Sequence, residues 1–260
     1  MRRYELAVLG DPIAHSRSPQ IHRAMLGLSE LEGEYVKIRA NRATLESEVE
    51  RLREGSWDGL NVTMPLKADA ARLADSLSPR ARRSGSVNTL MRDESGIYGE
   101  STDATVFADL VGSGRFDPRA AVLVLGTGGS AAAALSALGT EEHVYLAARD
   151  SQRADELASK LGGEVIAWGT AVAGALVING TPLGMAGETL PEGLLEVASG
   201  LIDLPYGDLV TPAVERTRAT HRIEVVDGHE FLLRQAMASF RLWTGVQVEY
   251  AALERALRKD

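Results

Sequence analysis

Residues 121–131 read AVLVLGTGGSA, in which five apolar residues lead into a glycine-rich turn and the start of an alanine-rich segment. This spacing matches G-x-G-x-x-G/A, the turn between a strand and a helix in dinucleotide-binding folds. Glycine at 126 permits the tight turn, glycine at 128 lets the backbone approach a pyrophosphate, and alanine at 131 lets the helix pack closely on the strand. An ordinary glycine-rich turn is the alternative, but the strand-turn-helix context favours cofactor binding. The predicted cofactor-binding residues of this loop are Gly126, Gly128, Gly129, Ser130 and Ala131.

Short β-rich runs alternate with helical patterns on both sides of this loop, which is typical of an α/β fold with a mostly parallel sheet. The clearest predicted strands are 4–9, 34–38, 60–63, 121–125, 143–147, 175–179, 201–204 and 223–226. The clearest predicted helices are 19–28, 43–54, 66–76, 129–138 and 151–161. Ser18 is expected to cap the first helix, with Pro19 at its first position. Residues 87–92 and 96–99 predict a β-hairpin.

The chain is predicted to form two domains. A helix at 104–110 and the turn-rich residues 111–114 separate Asp103 from the strand before the glycine loop. Two last helical patterns, 230–243 and 246–258, follow the final strand and have apolar residues at helical spacing. We therefore expect a substrate-binding catalytic α/β domain at 1–103, a Rossmann-type dinucleotide-binding domain at 104–227, and C-terminal helices at 228–260 that pack back on the first domain.

Composition excludes several classes of function. The net charge of −8 would repel a phosphate backbone, so a small molecule is a better candidate partner than nucleic acid. No apolar run reaches the ~18 residues of a membrane span, and residues 1–6 lack the apolar stretch of a signal peptide, so no membrane partner is predicted and a cytoplasmic protein is expected. The absence of cysteine excludes thiolate chemistry, and the five histidines lack paired zinc-site spacing, so no metal is predicted.

The residues after the strand that follows the glycine loop bear on the choice of nucleotide. An acid at that strand end typically binds a ribose hydroxyl, whereas arginines accept a 2′-phosphate. Residues 148–153 read ARDSQR, with no acid at the strand end and with Arg149 and Arg153 placed to converge on a phosphate. Asp150 lies between them and would repel a phosphate if it pointed inward. The segment favours NADP and leaves NAD open; two solvated surface arginines are the structural alternative.

Polar residues cluster after several predicted strands in the first half of the chain. The segments are GDPIAHSRSP at 10–19, NVTMPLK at 61–67, GSVNTL at 85–90 and STD at 101–103. Open α/β sheets bind ligands at strand ends, and these segments supply hydroxyls, amides, an amine and a carboxylate. Together they predict a site for a small polyhydroxylated acid.

With these segments and with NGTPLGM at 179–185, DLPY at 203–206 and DGHEFLLRQA at 227–236, the chain resembles the shikimate dehydrogenase family over almost its whole length. The resemblance implies an oxidoreductase that reduces 3-dehydroshikimate to shikimate with NADPH, in aromatic amino acid and chorismate biosynthesis. It also implies a monomer or homodimer.

The resemblance implies a role for individual residues. Lys67 is the implied catalytic acid/base, with Asp103 orienting its amine and sharing a substrate hydroxyl. This agrees with the chemistry, because a ketone that accepts hydride develops negative charge on oxygen, which an ammonium stabilises and then protonates. The implied substrate contacts are Ser16, Ser18 and Tyr206 near the carboxylate and Asn61, Thr63, Asn88 and Gln235 at the ring hydroxyls. Thr181 and Gly228 complete the predicted cofactor contacts.

Structural roles explain most of these residues equally well when they are taken singly. The alternatives are helix capping by Ser18 and Asp103, turn stabilisation by Asn61 and Asn88, and solvent exposure of Lys67 and Arg17. Gln235 is different, because a polar residue among apolar neighbours on one helix either faces water or has a buried partner. The resemblance predicts that this partner is the substrate.

The chain departs from the family pattern at several positions. Ser101 and Ala104 stand where the family usually has asparagine and glycine, Phe231 replaces a flexible methionine expected near the nicotinamide, and Glu230 adds a charge. Two other functions therefore stay open: an NAD-dependent quinate/shikimate dehydrogenase, which Asp150 would favour, and a non-catalytic ligand-binding relative. The intact amine and carboxylate of the implied acid/base pair favour an enzyme.

Overall fold

The computed structural model describes residues 2–138, 143–207, 209–220 and 222–258. They form two compact units: the first contains the residues up to Thr102 and those from Leu232 onward, and the second is Asp103–Phe231. Within these ranges, no helix combines the length and the apolar character that a membrane crossing needs. His221, one of the five histidines considered for metal binding, lies outside the described residues.

The secondary structure alternates between strands and helices along the whole chain. The strands are β1 (Arg3–Gly10), β2 (Glu32–Arg39), β3 (Gly59–Val62), β4 (Ser76–Leu77), β5 (Thr89–Asp93), β6 (Gly96–Glu100), β7 (Val122–Leu125), β8 (Val144–Ala147), β9 (Glu164–Ile166), β10 (Leu176–Asn179), β11 (Gly200–Asp203) and β12 (Glu224–Val226). The helices are α1 (Ser18–Leu28), α2 (Arg42–Arg53), α3 (Lys67–Leu73), α4 (Pro79–Ser84), α5 (Thr102–Gly112), α6 (Gly129–Leu138), α7 (Ser151–Leu161), α8 (Pro212–Thr220), α9 (Gly228–Thr244) and α10 (Tyr250–Leu257). The predicted α/β class is confirmed.

The first unit is built on a six-stranded mixed sheet of order β2-β1-β3-β5-β6-β4. β1 pairs in parallel with β2 and β3, whereas β5 runs antiparallel to β3 and to β6. β4 runs parallel to β6, so β5 is the one reversed strand of these six. The hairpin predicted near 87–99 joins the sheet as β5 and β6, and the sheet is mostly parallel, as expected. Helix α2 buries Leu45, Val49 and Leu52 against it, a set spaced at i, i+4 and i+7 on one helix face.

The second unit has a six-stranded sheet of order β12-β11-β10-β7-β8-β9, in which every pair is parallel. This is the strand order of a Rossmann fold, with β7 as its first strand. All four residues of β7, β10 and β11 are buried, as expected for strands covered on both faces. The glycine loop leads from β7 into α6, so the predicted strand-turn-helix unit is confirmed.

The structure differs from the sequence-based expectation at a few elements. The short strands β4 and β9 and the helices α4 and α8 were not predicted. The cap assigned to Ser18 is wrong: Arg17 occupies the cap position of α1 and makes no side-chain cap hydrogen bond. Ser18 is the first helical residue, and its backbone N–H lies 3.3 Å from Ser16 Oγ. Helix capping therefore does not explain a serine at 18.

Candidate active site

The segments after β1 and β3 pack directly against each other. The Asp11 amide donates to the Met64 carbonyl over 3.1 Å, and the Thr63 amide donates to the Leu9 carbonyl over 2.8 Å. Gly10 makes this approach possible, since a Cβ at position 10 would lie 2.3 Å from Thr63 Cγ2 and 2.9 Å from Met64 O. Because β1 and β3 are parallel, both segments leave the same end of the sheet. The two richest polar segments of the sequence are thereby brought together, as predicted from their strand-end positions.

Ser16 lines a cavity of about 660 Å³ in the first unit. The cavity is lined by Ser16, Arg17, Pro19, Gln20, Arg23, Ala24 and Lys37, a set with three cationic side chains and no carboxylate. Arg23 Nη2 donates to the Tyr35 carbonyl over 3.2 Å, and Lys37 Nζ donates to the Ala14 carbonyl over 2.6 Å. Because carbonyl oxygens carry no net charge, these bonds hold the two cations in place without neutralising them. The surroundings of Ser16 suit an anionic ligand.

Lys67 is the first residue of α3 and is half-buried. The turn that precedes it is closed by a hydrogen bond of 3.0 Å from the Leu66 amide to the Thr63 carbonyl. The Lys67 carbonyl accepts from the Val87 amide over 3.0 Å, which ties the start of α3 to the segment before β5. The backbone of Lys67 is thus fixed between the end of β3 and Asn88.

Asn88 is 4% exposed and uses its amide within the protein. Its Oδ1 accepts from the Thr102 amide over 2.8 Å, and its Nδ2 donates to Thr102 Oγ1 over 2.9 Å and to Gln235 Oε1 over 3.2 Å. Gln235 in turn donates from Nε2 to the Leu232 carbonyl over 3.1 Å. Gln235 therefore has a partner within the protein, Asn88, which is itself a predicted substrate contact. A contact between Gln235 and the substrate stays a prediction.

Asn61 lies inside β3 and is engaged on both sides of its amide. Its Oδ1 accepts from Tyr35 Oη over 2.7 Å, and its Nδ2 donates to the Asn88 carbonyl over 2.9 Å. The same Nδ2 lies 3.1 Å from Thr89 Oγ1 and 3.1 Å from Ser239 Oγ. Asn61 therefore has a structural role, as the alternative to substrate binding proposed. Its amide joins the sheet to a helix, however, and does not stabilise a turn.

Asp103 is the second residue of α5 and is 6% exposed. The residue before it, Thr102, is the one whose backbone amide is held by Asn88 Oδ1, so Asn88 supplies the acceptor for the first N–H of α5. Asp103 thus follows a helix amide that another side chain already holds. Its pairing with the Lys67 amine stays a prediction.

The first two glycines of the loop after β7 differ in their surroundings. Gly126 has φ +104°, a conformation that favours glycine, and a Cβ there would lie 3.1 Å from Thr181 Cγ2. A Cβ at Gly128, by contrast, would meet no atom within 4 Å, and Ala131 is fully buried beneath the loop. The first glycine is required by packing, and the second leaves the backbone open at the start of α6. These residues fit a dinucleotide at a helix N-terminus.

The segment after β10 is held by a buried carboxylate. Thr181 Oγ1 donates to Asn179 Oδ1 over 2.6 Å, and Asn179 Nδ2 donates to Asp203 Oδ1 over 2.6 Å. Burial raises the pKa of the Asp203 carboxyl, while the hydrogen bonds from Thr211 and Asn179 oppose that shift. Asp203 thus joins the Thr181 loop to the end of β11, after which the half-buried Tyr206 follows.

Gly228 has a structural reason to be glycine. A Cβ at this position would lie 2.4 Å from the Pro205 carbonyl oxygen and 2.5 Å from that of Leu204. The backbone before Tyr206 therefore passes against the start of α9. This close approach accounts for the glycine without any contribution from a cofactor.

Comparison with known proteins agrees with this arrangement. Residues 8–90 match the family described as shikimate dehydrogenase substrate binding domain, and residues 228–258 match the shikimate 5′-dehydrogenase C-terminal domain. The chain is 38% identical to the shikimate dehydrogenase (NADP(+)) of Alkalilimnicola ehrlichii over 98% of both chains. It is 35% identical to the enzyme of that name from Thermus thermophilus over 97% of both. The chain belongs to the shikimate dehydrogenase family.

Solved structures of this family show the same fold. The shikimate 5-dehydrogenase of Thermus thermophilus, in complex with NADP(H) and shikimate, superposes with a TM-score of 0.86 at 33% identity, covering 98% of this chain and 99% of that one. A chorismate mutase/shikimate 5-dehydrogenase fusion from Clostridium acetobutylicum gives the same TM-score at 26% identity over 100% and 97% of the two chains. The predicted family and two-domain α/β class are confirmed, and the predicted activity and NADP cofactor agree with the names of these relatives.

An acid separates the two arginines at the predicted 2′-phosphate site. Arg149, Asp150 and Arg153 are all exposed. Asp150 caps α7, because its Oδ1 accepts from the Arg153 amide over 3.1 Å, and its Oδ2 lies 3.4 Å from Arg153 Nε. Arg153 is thus engaged by the acid that separates the two arginines, which leaves Arg149 as the better candidate for a phosphate contact.

Glu230 and Phe231, the two departures from the family pattern at the start of α9, each have a partner within the second unit. Arg115 contacts both Glu230 and Glu224, with 2.9 Å from its Nε to Glu224 Oε1. The charge that Glu230 adds is therefore compensated by an arginine. Phe231 packs on Phe107, with ring centroids 4.7 Å apart. Sequence reasoning named both departures and had no signal for the distant residues that accommodate them.

Proposed function

We propose that this chain catalyses the reversible, NADPH-dependent reduction of 3-dehydroshikimate to shikimate. The observation on which the proposal rests most is the packing of the segments after β1 and β3, which gathers the polar motifs at one end of the first sheet. Asn88 belongs to the same end, because β5 runs antiparallel to β3 and Asn88 immediately precedes it. The side chains gathered in this region offer hydroxyls, amides and an amine, which are the groups that a polyhydroxylated ligand needs.

Lys67 is proposed as the acid/base of the reaction. NADPH, when bound, supplies the hydride that reduces the ketone. As negative charge develops on the ketone oxygen, the Lys67 ammonium stabilises it and then donates its proton, and in the oxidative direction the neutral amine removes that proton. Asp103 is proposed to orient the amine. The bond from Val87 to the Lys67 carbonyl holds the backbone from which the amine extends.

Substrate recognition is proposed to divide between the carboxylate and the ring. Ser16 and Ser18, with Tyr206, would bind the carboxylate, and the cations around Ser16 favour an anion there. Thr63 and the Asn88–Gln235 pair would bind ring hydroxyls. Because the side chains of Asn88 and Gln235 hydrogen-bond to each other, a bound substrate hydroxyl would replace one of them as hydrogen-bond partner of the other.

Cofactor binding is proposed for the second unit. The amides and small residues of the glycine loop, Gly126, Gly128, Gly129, Ser130 and Ala131, would hold the pyrophosphate, with Thr181 and Gly228 lining the neighbouring segments. Arg149 would contact the 2′-phosphate, and Arg153 would assist if it leaves Asp150. NADP is therefore the proposed cofactor, with a preference over NAD that Asp150 reduces by like-charge repulsion.

A matrix of substrates and cofactors tests the activity. Shikimate and quinate would each be oxidised with NADP and with NAD, and kcat/KM compared for the four pairs. The shikimate–NADP pair is expected to give the highest value. A highest value for quinate with NAD would replace the proposal by a quinate/shikimate dehydrogenase, the alternative that Asp150 favours. Measurable ligand binding without turnover in any pair would identify a non-catalytic relative.

Three ranges are proposed as the domains of the chain. Residues 1–103 would bind the substrate, residues 104–227 would bind NADP, and residues 228–260 would form helices that pack back on the substrate domain. We further propose a cytoplasmic protein that works as a monomer or homodimer. Light scattering coupled to gel filtration measures the oligomeric state directly.

A further inference from the structure

The predicted ring-hydroxyl contacts rest on a buried layer of hydroxyl side chains to which no role has been assigned. Thr89, Thr102 and Ser239 are 1%, 0% and 0% exposed. Ser239 Oγ lies 2.8 Å from Thr89 Oγ1 and 3.4 Å from Thr102 Oγ1. Residues 150 and 137 positions apart in the sequence thus converge on one serine.

The orientation of the Asn61 amide follows from the groups that face it. The Asn88 carbonyl can only accept, so the Asn61 atom that faces it is Nδ2, and Asn61 Oδ1 must face Tyr35 Oη. The Tyr35 hydroxyl therefore donates to Asn61. Asn61 Nδ2 has a second hydrogen, which points to Thr89 Oγ1 and Ser239 Oγ.

The remaining bonds converge on the Ser239 hydroxyl. Ser239 Oγ accepts from Asn61 Nδ2 over 3.1 Å. It also bonds to Thr89 Oγ1 over 2.8 Å, where either hydroxyl can be the donor, and lies 3.1 Å from the Gln235 carbonyl, which can only accept. The bonds connect Tyr35 through Asn61, Thr89 and Ser239 to the backbone of Gln235.

Ser239 lies one helical turn after Gln235 on α9. Its contacts with Asn61 on β3 and Thr89 on β5 fix that turn of the helix against the sheet. The Gln235 side chain, on the same helical face, then reaches Asn88 Nδ2 at 3.2 Å. A small shift of this turn would change the Gln235–Asn88 contact, because hydrogen bonds weaken steeply with geometry.

We propose that Ser239 is a positioning residue for recognition of the substrate ring: its hydroxyl, which accepts from Asn61 and bonds to Thr89, sets the placement of Gln235 beside Asn88. This rests on the proposed function for the identity of the ligand. Ser239 contacts no substrate itself. Its removal leaves the buried polar groups of Asn61 and Thr89 without that partner, which costs more than the loss of one exposed hydrogen bond.

The first experiment compares Ser239→Ala with the wild type in steady-state shikimate oxidation. KM for shikimate is expected to rise about 10-fold, with KM for NADP within about 2-fold and kcat changed less than KM, since a bond that orients binding residues acts in the ground state as well as the transition state. Thr217→Ala is the matched control. Thr217 is a buried hydroxyl of α8 that donates over 2.7 Å to the carbonyl four residues before it, as Ser239 does, but it lies in the second unit. It is expected to lower stability and leave KM for shikimate unchanged.

The second experiment is a double-mutant cycle with Thr89→Val, which keeps the shape of the side chain and removes the hydroxyl. Thr89→Val is expected to raise KM for shikimate by a similar factor, and Ser239→Ala combined with it to raise KM by much less than the product, because both remove the same bond. Multiplicative effects would show independent roles and overturn the proposal. If Ser239→Ala does not fold, Thr89→Val against Thr89→Ser, which keeps the hydroxyl, decides by the same KM criterion.

Failure of this inference is distinguishable from failure of the proposed function. A wild type that oxidises shikimate, with KM for shikimate unchanged in Ser239→Ala, overturns the positioning role only. A wild type without turnover overturns the proposed function, and the positioning role is then decided by calorimetric Kd for shikimate, which is expected to rise about 10-fold in Ser239→Ala. A parallel rise in KM for NADP would mark a general loss of structure and would also overturn it.

Discussion

The residues of the first unit that are predicted to bind the substrate ring and those of the second unit that are predicted to bind the 2′-phosphate make their hydrogen bonds in different ways. In the first, Asn61 reaches Ser239 across 178 positions and Asn88 reaches Gln235 across 147, and all these contacts are buried or half-buried. In the second, the residues predicted to read the nucleotide are exposed, and Asp150 bonds to Arg153, three positions away. The proposed substrate contacts depend on the complete fold, whereas the proposed phosphate contacts depend on one helix end. We therefore expect changes of cofactor preference to cost little stability and changes of substrate preference to cost much more.

The energies follow from that contrast. A buried donor or acceptor left without a partner costs about 1–3 kcal/mol, whereas an exposed ion pair contributes about 0–1 kcal/mol. Substitutions in the two regions should accordingly separate into those that lower both stability and activity and those that move only the cofactor ratio.

The largest expected effect is on the acid/base. Lys67→Ala is expected to lower kcat by about 10²- to 10⁴-fold, because the proton donor to the developing alkoxide is lost, while shikimate binding measured by calorimetry changes little. Lys160→Ala, at an exposed position of α7, is the control and should leave kcat unchanged. Full kcat in Lys67→Ala would show that Lys67 is not the acid/base. The first unit would then have no assigned proton donor.

The next effect concerns stability and pH. His22 is fully buried, stacks on Tyr35 with ring centroids 4.2 Å apart, and burial lowers its pKa to about 3. An unfolded histidine has a pKa near 6.5, so between about 6.5 and about 3 the unfolded chain binds a proton that the folded chain does not. His22 thus contributes no pH dependence well above pH 6.5, and stability is expected to fall as the pH drops from there towards 3.

Urea unfolding of the wild type and of His22→Leu at about pH 7 and about pH 5 checks this expectation. The difference in unfolding free energy between the two proteins should shift in favour of the leucine variant at the lower pH. The same difference in unfolding free energy at both pH values would contradict the burial of His22 and would show that its ring, stacked on Tyr35, is open to solvent.

A third test compares two asparagines that each hold a helix amide. Asn88 Oδ1 accepts from Thr102 and is buried, whereas Asn41 Oδ1 accepts from Thr44 at the exposed start of α2 over 2.9 Å. Asn88→Ala is expected to cost about 1–3 kcal/mol and to raise KM for shikimate, and Asn41→Ala about 1 kcal/mol without effect on KM. Equal KM values in the two variants would contradict the assignment of Asn88 to the substrate site.

The smallest effect is expected at the nucleotide. Asp150→Ser keeps a capping side chain for α7 and removes the negative charge, so the ratio of kcat/KM for NADPH to that for NADH should rise by roughly 3- to 10-fold, with the unfolding free energy nearly unchanged. Arg149→Ala should lower the same ratio. Asp155→Ser, an exposed change within α7, serves as the control for charge alone. A ratio that moves equally in Asp155→Ser would show a general electrostatic effect and not a local one.

The sequence predicted the features that depend on neighbours along the chain. The glycine loop, the strand-end positions of Ser16 and Lys67, and most elements to within a few residues follow from local patterns. The cap assigned to Ser18 failed because a serine before a proline is a good cap by itself, and only the packed structure shows that the helix begins at that serine. The strands β4 and β9, of two and three residues, are too short to show alternation.

The partners of the site residues could not be predicted. Gln235 was recognised as a polar residue on an apolar helix, yet nothing in its neighbourhood indicates Asn88. Ser239 had one available signal, since it lies four residues after Gln235 and so on the same helical face. A serine there is equally typical of a solvated position, and its buried contacts with β3 and β5 exist only in the folded sheet.

The buried layer of hydroxyls also makes the first unit visible to proton spectroscopy. Hydroxyl protons on a protein surface exchange with water too quickly to give separate resonances, whereas Thr89 and Ser239 are almost completely shielded from solvent. Their protons should exchange slowly enough to be resolved, each at a frequency set by its own acceptor. Such resonances would respond when a ligand alters the Gln235–Asn88 contact, so occupancy could be followed without label, cofactor or turnover.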